Sequence, residues 1–298
     1  MQTYQLPGQN AIARLSSFIA AGGPEENEYK ELTDIWDGLN KHPGNNSWDE
    51  LLRLFGQDFL NQTAHGFSYR KPLGYAGDFE IIDKIYQQKI CGDKKFQKWD
   101  KYYYSREGCK AVRNRKNYFI KLVREKCSTI ERPLRILNIA SGPCRDLLEL
   151  LEQVPAGKLK VHCVEMDPKA IAYAGNLLGS FSAAVKFTQK NIFKFNTEEK
   201  FDLVWSAGLF DYFEDDVFIK LLLKVRAWCA PAGEMVIGNF SDSNPSRSYM
   251  ENAIDWKLFH RSGATLKTLA LKAGFDKDQV TIASEPLGVN LFLHLGVK

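Results

Sequence analysis

The stretch that decides the fold is Leu134-Arg-Ile-Leu-Asn-Ile-Ala140-Ser-Gly142-Pro143-Cys144-Arg145-Asp146, followed by Val161-His-Cys-Val-Glu165-Met-Asp167-Pro168. An apolar run ends in a small-residue turn, a helix begins, and a second apolar run ends in an acid. This order is that of a nucleotide-binding strand–turn–helix–strand unit, in which the phosphate or sugar end of a ligand meets main chain at the turn. A dinucleotide site wants a third glycine so that helix and strand can touch. Here that position is Arg145, whose long cationic side chain conflicts with such packing. A looser small-residue turn, Ala140-x-Gly142-x-Cys144, suits S-adenosylmethionine. Gly142 can take a positive φ, and Pro143 suits a first helical turn, where its missing N–H is not needed. The free N–H groups of that helix can meet the methionine carboxylate. A tight strand–helix turn without a ligand is the plain alternative.

Working outward, residues 128–298 alternate. Apolar, β-branched runs at 134–140, 159–165, 184–188, 201–207, 233–240, 278–284 and 289–295 predict strands. Helices are predicted between them at 143–153, 168–178, 214–229 and 264–273. Such alternation predicts an α/β fold, a mainly parallel, doubly wound, Rossmann-like sheet of seven strands. Only Glu285-Pro286-Leu287-Gly288 separates the last two runs, so the final strand should be antiparallel. Residues 1–127 have a different texture. Helices are expected near 11–20, 26–40, 47–61, 78–86, 94–104 and 110–126. Turns fall at Gly22-Gly23-Pro24, His42-Pro43-Gly44 and Lys71-Pro72-Leu73-Gly74. Two domains follow: a helical lid or substrate domain, 1–127, and a cofactor-binding core, 128–298.

Further candidate residues sit where the predicted strands end. Glu165 is placed to accept hydrogen bonds from two ribose hydroxyls. Asp167 either assists or caps the helix that starts at Pro168. Asn191 is placed to read an adenine edge, with Ile192 and Phe193 against the ring, although an asparagine after a strand is also an ordinary turn residue. Ser206-Ala207-Gly208 lets main chain approach the cofactor. The aromatics that follow, Phe210, Tyr212 and Phe213, can exclude water from a methyl group or simply fill the core.

The whole chain bounds these readings. Its 298 residues carry a formal net charge of +4, with acids and bases interleaved, which gives dedicated nucleic-acid binding little support. The start, MQTYQLPGQN, lacks the basic and apolar regions of a secretory signal. No run approaches the roughly 18 apolar residues of a membrane span. Six scattered cysteines (91, 109, 127, 144, 163, 229) show no Cys-x-x-Cys and no metal spacing, so they read as reduced thiols of a cytoplasmic protein without a metal site.

With the glycine turn, the strand-ending acid, the Asn191 segment and the Phe201–Tyr212 strand in this order, residues 128–298 resemble a class I S-adenosylmethionine-dependent methyltransferase. Ala140 and Cys144 stand for two of the usual glycines, and Glu165 for the commoner aspartate. A closer resemblance spans most of the chain. Its elements are Arg70-Lys71-Pro72-Leu73-Gly74-Tyr75-Ala76-Gly77-Asp78, Ala111-Val112-Arg113-Asn114-Arg115, Ser206–Tyr212 and the set Asn239-Phe240, Asn244-Pro245-Ser246-Arg247, Met250-Glu251, Asp255-Trp256 and Arg261. These are similar to the bacterial group that includes the extracellular-factor 3-hydroxypalmitic acid methyl ester synthases. That resemblance implies methylation of a fatty-acid carboxyl group to make a quorum-sensing signal.

Methyl transfer is an in-line displacement, so donor and acceptor must be held collinear away from water. A carboxylate acceptor is already ionised and needs anchors rather than a base. A phenol or amine would need a base. The polar segment 241–263 follows the fifth predicted strand, where loops carry substrate contacts. Arg247, Tyr249 and His260, with Arg261, are candidates to position an acidic head group. Alternatively 249–259 is a docking helix packed on the helical domain, with Arg247 and Asp255 in a structural ion pair. Tyr75 is placed to face the cofactor's sulfonium, or merely to enter a helix. Arg113 is a candidate for a cofactor or substrate carboxylate, or a plain paired arginine. The partner expected is a small-molecule acceptor, with a homodimer allowed. A non-catalytic module that senses the adenosyl cofactor is the reading from a different class.

Overall fold

The structure is a computed structural model that describes residues 7–41 and 53–298. It divides into two compact units, residues 1–110 with 245–257, and residues 111–244 with 258–298. This corrects the expected boundary at 127. The dividing point falls within one helix, and thirteen residues of the late polar segment belong to the first unit.

The helical unit contains α1 (Pro7–Ala20), α2 (Tyr29–Lys41), α3 (Gly56–Gln62), α4 (Ala64–Arg70), α5 (Phe79–Gln87) and α6 (Gln97–Ser105). The turn at His42-Pro43-Gly44 and the start of the helix expected at 47–61 lie outside the described residues. Helix α4 was not expected from sequence. Thr63 caps it by accepting from Gly66 N at 3.0 Å, and Asp78 caps α5 by accepting from Glu80 N and Ile81 N. These Thr and Asp caps satisfy donors that a helix start otherwise leaves unpaired.

The core unit contains most of α7 (Glu107–Thr129), then β1 (Leu134–Ile139), α8 (Arg145–Leu151), β2 (Leu159–Glu165), α9 (Pro168–Leu178), β3 (Val185–Gln189), β4 (Phe201–Ser206), α10 (Asp215–Arg226) and β5 (Cys229–Phe240). In the helical unit lies α11 (Arg247–Asn252). The core closes with α12 (Gly263–Lys272), β6 (Val280–Ser284) and β7 (Asn290–Gly296). The sheet order is β3-β2-β1-β4-β5-β7-β6, and β7 is antiparallel to both neighbours, as the short turn after Ser284 predicts.

Alternation along the strands builds two apolar layers. Ile136, Leu203, Trp205, Val236 and Phe292 join Phe119 and Val123 of α7 on one face. Leu137, Val204, Ile237 and Leu293 join Phe218 and Leu222 of α10 and Leu266 of α12 on the other. Near-continuous burial of these strands is the mark of a sheet covered on both sides. The sheet positions the site by bringing the ends of β1, β2 and β4 side by side, with pairings Asn138↔Cys163 and Asn138↔Trp205.

Candidate active site

The β1–α8 turn is built from main chain in the left-handed region: Ala140 at φ 53°, Gly142 at 56° and Cys144 at 56°. Alanine and cysteine adopt this conformation at a cost, which persists only where surroundings impose it. Above Gly142, the space a Cβ would occupy has no atom within 4 Å, so the turn presents open main chain to its outer side. Ser141 is buried, and its hydroxyl has no hydrogen-bond partner.

Glu165 ends β2 beside this turn. Its carboxylate accepts from Gly142 N at 3.0 Å, Met166 N at 2.7 Å and Asp167 N at 3.0 Å. Three of about four acceptor positions on a carboxylate are thereby filled by main chain. Glu165 ties the glycine turn to the end of β2, with about one position left for a ribose hydroxyl rather than two. Asp167 caps α9 by accepting from Lys169 N at 2.8 Å, the helix-capping alternative. Asn191 closes a one-turn 3-10 segment by accepting from Phe193 N at 2.9 Å. Ile192 packs into the apolar layer with Phe195 and Phe210, whereas Phe193 and Met166 remain 42% and 58% exposed. Two large apolar groups in water beside a strand edge suit the faces of a planar ring, so Phe193, not Ile192, has the exposed ring.

At the end of β4, Ser206 is fully buried and its hydroxyl donates to the Ile139 carbonyl at 3.3 Å, joining β4 to the turn. Ala207 and Gly208 lie against Arg115, which sequence reasoning did not select. The Arg115 guanidinium is buried and donates through Nη1 to the Ala207 carbonyl at 3.4 Å, while its Nε–H has no partner. A Cβ on Gly208 would sit 2.8 Å from Arg115 Nη1, so glycine makes room for the cation. Arg113, the candidate from sequence, is half-buried two positions earlier on α7 with its Nη1 buried, and the contact with the end of β4 is made by Arg115.

Two buried carboxyls flank Arg115. Burial pushes Asp146, in the first turn of α8, up to about 6, opposed by the amide of Leu147 and by Arg115 and Lys116. Burial pushes Asp211, just past β4, up to about 7, opposed by Arg115 and Arg261. Asp211 is 1% exposed and its Oδ1 has no hydrogen-bond partner. No sequence period marks these groups. The available signal was Asp211 lying among aromatics directly after the small-residue strand end.

The expected acceptor anchors lie elsewhere. Tyr249 is buried in the helical unit, its hydroxyl 2.7 Å from His65 Nδ1. Arg247 forms an i,i+4 ion pair with Glu251 at 2.7 Å and is half exposed. Both are structural roles, but the partner of Arg247 is Glu251 rather than the expected Asp255, which pairs with Lys71 and Lys257. In the core unit, His260 Nε2 lies 3.1 Å from Asn244 Nδ2, and Arg261 is spent on Asn239, Asp215 and the carbonyls of Phe210 and Phe213. Tyr75 lies in the helical unit, in a turn with positive φ at Gly74 and Gly77. The helical unit also has its own cleft, about 460 Å³, lined by Phe67, Leu73, Ile90, Arg70 and Lys84. Among the described residues no cluster of metal-ligating side chains occurs, and no helix is long and apolar enough to cross a membrane.

Residues 136–233 match the family model described as a methyltransferase domain. No curated protein sequence matches the chain. Among solved structures, a possible exported protein from Bordetella parapertussis superposes with a TM-score of 0.65 at 16% identity, covering 98% of this chain and 95% of its own. The S-adenosylmethionine-dependent methyltransferase SibL, in its apo form, gives 0.52 at 15% identity, with coverage of 82% and 71%. The magnesium protoporphyrin IX methyltransferase of Synechocystis, with bound S-adenosylhomocysteine, gives 0.51 at 11%, with coverage of 74% and 100%. At these identities the superpositions speak to the fold. Residues 136–233 thus carry a methyltransferase domain, set in a seven-stranded sheet of the class I methyltransferase fold. The residues present fit S-adenosylmethionine: an open left-handed turn, a buried serine hydroxyl without a partner and a buried arginine with a spare donor.

Proposed function

We propose that this protein transfers a methyl group from S-adenosylmethionine to a small molecule, and that the acceptor is a carboxylate on a hydroxy fatty acid or a similar acyl compound. The observation that carries the cofactor assignment is the open, left-handed turn Ala140–Cys144 clasped by Glu165. When bound, the cofactor supplies a sulfonium-activated methyl group. The chain's own residues do the positioning. Ala140 and Gly142 bring main chain to the ligand, Glu165 keeps one acceptor position for a ribose hydroxyl, and Met166 and Phe193 wall the adenine. Ser206, Ala207 and Gly208 form the floor. Asp167, Asn191 and Ile192 shape the turns rather than touch the ligand. His260 is retained as an acceptor-positioning candidate.

The acyl acceptor is supported by the Arg70–Asp78, Ala111–Arg115 and Asn239–Arg261 motifs, which resemble the 3-hydroxypalmitic acid methyl ester synthase group. A quorum-sensing role and a cytoplasmic location belong to the same proposal. A second reading, a phenol or amine acceptor, is favoured by one observation, the buried carboxyl of Asp211 held near neutrality and so able to take a proton.

Calorimetry with S-adenosylhomocysteine should give a micromolar Kd for the wild-type chain and none measurable for Gly142→Val. A branched side chain at φ 56° strains the turn and fills the open space. Labelled methyl transfer into 3-hydroxypalmitate, but not into phenols or amines, would support the acyl reading. Transfer only to the latter would replace it.

A further inference from the structure

Three buried polar atoms without partners surround the glycine turn and the end of β4: Ser141 Oγ, Arg115 Nε and Asp211 Oδ1. Buried polar groups are nearly always paired, so a cluster of exceptions marks a place where a ligand or an ion completes the set. The charges alternate. Asp146 and Asp211 flank Arg115, and Arg261 lies beyond Asp211 but is bound to Asp215 at 2.9 Å. The facing titratable groups are Asp146 and Lys116 from α8 and α7, Arg115 from α7, Asp211 from the turn after β4, Asp215 from α10 and Arg261 from the loop before α12. Arg115 thus has one charge for two buried carboxyls, and Gly208 is kept free of a side chain to admit it.

We propose that Arg115 and Asp211 form a carboxylate-binding site in which occupation by the ligand is linked to uptake of one proton by Asp211. The inference rests on the cofactor reading above and deepens it. A ligand carboxylate takes the free Nε–H of Arg115 and lies close to Asp211. Two carboxylates sharing one guanidinium repel each other unless one is neutral. The proton comes from solvent and binds Asp211 Oδ1, turning an acceptor without a partner into a donor toward the ligand. Burial already holds Asp211 near the value at which this transfer is easy at neutral pH. Two sources offer the same chemistry, the amino-acid end of the cofactor and the head group of an acyl acceptor.

The test is calorimetry on the full chain at pH 8 in phosphate and in Tris, whose ionisation enthalpies differ, so that the enthalpy difference counts protons. The probes are S-adenosylhomocysteine, 5′-methylthioadenosine, which lacks the amino acid and its carboxylate, and 3-hydroxypalmitate. For the carboxylate that uses the site, wild type should take up more than half a proton. Its affinity should fall about tenfold per pH unit above 7. Asp211→Asn should abolish the uptake and flatten the pH dependence. Arg115→Gln should weaken that probe at least tenfold and leave 5′-methylthioadenosine unchanged.

Loss for S-adenosylhomocysteine alone names the cofactor as the source, and loss for 3-hydroxypalmitate alone names the acceptor. Should Arg115→Gln not fold, Arg115→Lys, which keeps the charge but not the fork, gives the same reading. Undiminished affinity for both carboxylate probes in these variants, or no proton uptake by wild type with either, overturns the inference. If wild type binds neither adenosyl probe, the cofactor reading fails by itself. The carboxylate site then stands only on an Arg115-dependent, proton-linked acyl affinity.

Discussion

The helical unit and the core unit both bury titratable side chains, one among aromatic rings and the other among opposite charges. In the helical unit His65 and Tyr249 share a 2.7 Å hydrogen bond inside a box of Trp36, Phe55, Phe59, Tyr102 and Tyr103. Trp36–Phe55 and Phe55–Phe59 stack, and the other rings meet edge to face or tilted at centroid distances such as 5.8 Å for Trp36–Tyr249. Ser68 lies 2.7 Å from the Tyr103 hydroxyl, and Asp100 accepts from the amides of Ala64 and Cys91. His65 Nε2 has no partner among these rings, and in the core unit Arg115 Nε and Asp211 Oδ1 have none either. A neutral nitrogen left unpaired among rings only costs stability, whereas opposite charges left incomplete side by side form a set that a ligand can complete. The comparison separates residues that hold this protein together from residues that hold its ligand.

The largest effects should come from opening the aromatic box. Trp36→Ala or Phe59→Ala removes a fully buried ring and should cost about 3–5 kcal/mol. Tyr249→Phe leaves His65 Nδ1 without its partner and should cost about 1–3 kcal/mol. Asp211→Asn, equally buried, should be near neutral or stabilising, because it removes a desolvated charge that the folded core does not fully pair. Urea unfolding of the four variants ranks them. A cost for Asp211→Asn matching that of Trp36→Ala would erase the distinction.

Acid should act on the two regions with opposite sign. Burial lowers His65 to about 3, so the folded state keeps it neutral while the unfolded chain protonates it below its ordinary 6.5. Its stabilisation is present above pH 6.5 and is lost as pH falls, by about 1.4 kcal/mol per unit. Asp78 and Asp100, raised by burial, oppose this at lower pH. Asp211 is raised to about 7, so its contribution is full below the ordinary carboxylate range and is lost as pH rises through 7. Between pH 7 and 5.5, amide protection, taken relative to the intrinsic exchange rate at each pH, should therefore fall in α4 and rise at the end of β4. His65→Gln should abolish the first change and Asp211→Asn the second. Parallel changes in both regions would contradict the assignment.

A smaller and more selective effect is expected at Gly208. The atom that an added Cβ meets is the far end of the Arg115 side chain, which can shift, so Gly208→Ala should cost under about 1 kcal/mol. It should still weaken the carboxylate ligand about tenfold, since a guanidinium displaced by an ångström loses its aim. Thermal melting and calorimetry on the same sample separate the two quantities.

How far the sequence could be read follows from the same contrast. Strands and helices of the core are set by local period and composition. The predicted limits 159–165 and 168–178 coincide with β2 and α9, and the short Glu285–Gly288 turn foretold the antiparallel end. Glu285 itself accepts from three turn amides and from Asn114 Nδ2 at 2.7 Å, which no one-dimensional pattern contains. The glycine turn was legible because small residues at fixed spacing have few other uses. Arg115 was not, because 113 and 115 look alike until the helix is placed on the sheet. Tyr249, Arg247 and the unit boundary were misplaced for a related reason. A polar insertion after a strand resembles a substrate loop, whether its side chains face a ligand or, as in α11, an aromatic core.

The smallest expected effect bears on that last ambiguity. Arg247 and Glu251 form a half-exposed ion pair one helical turn apart, worth about 0.3–0.5 kcal/mol. Arg247→Ala should shift stability by no more than this and leave kcat and KM for the methyl acceptor unchanged. An arginine that anchors an acidic head group behaves differently, because losing a charge-assisted hydrogen bond of about 1.5–3 kcal/mol raises KM more than tenfold. A KM increase of that size, with stability unchanged, would return Arg247 to the acceptor site and take it out of the structural class to which the ion pair assigns it.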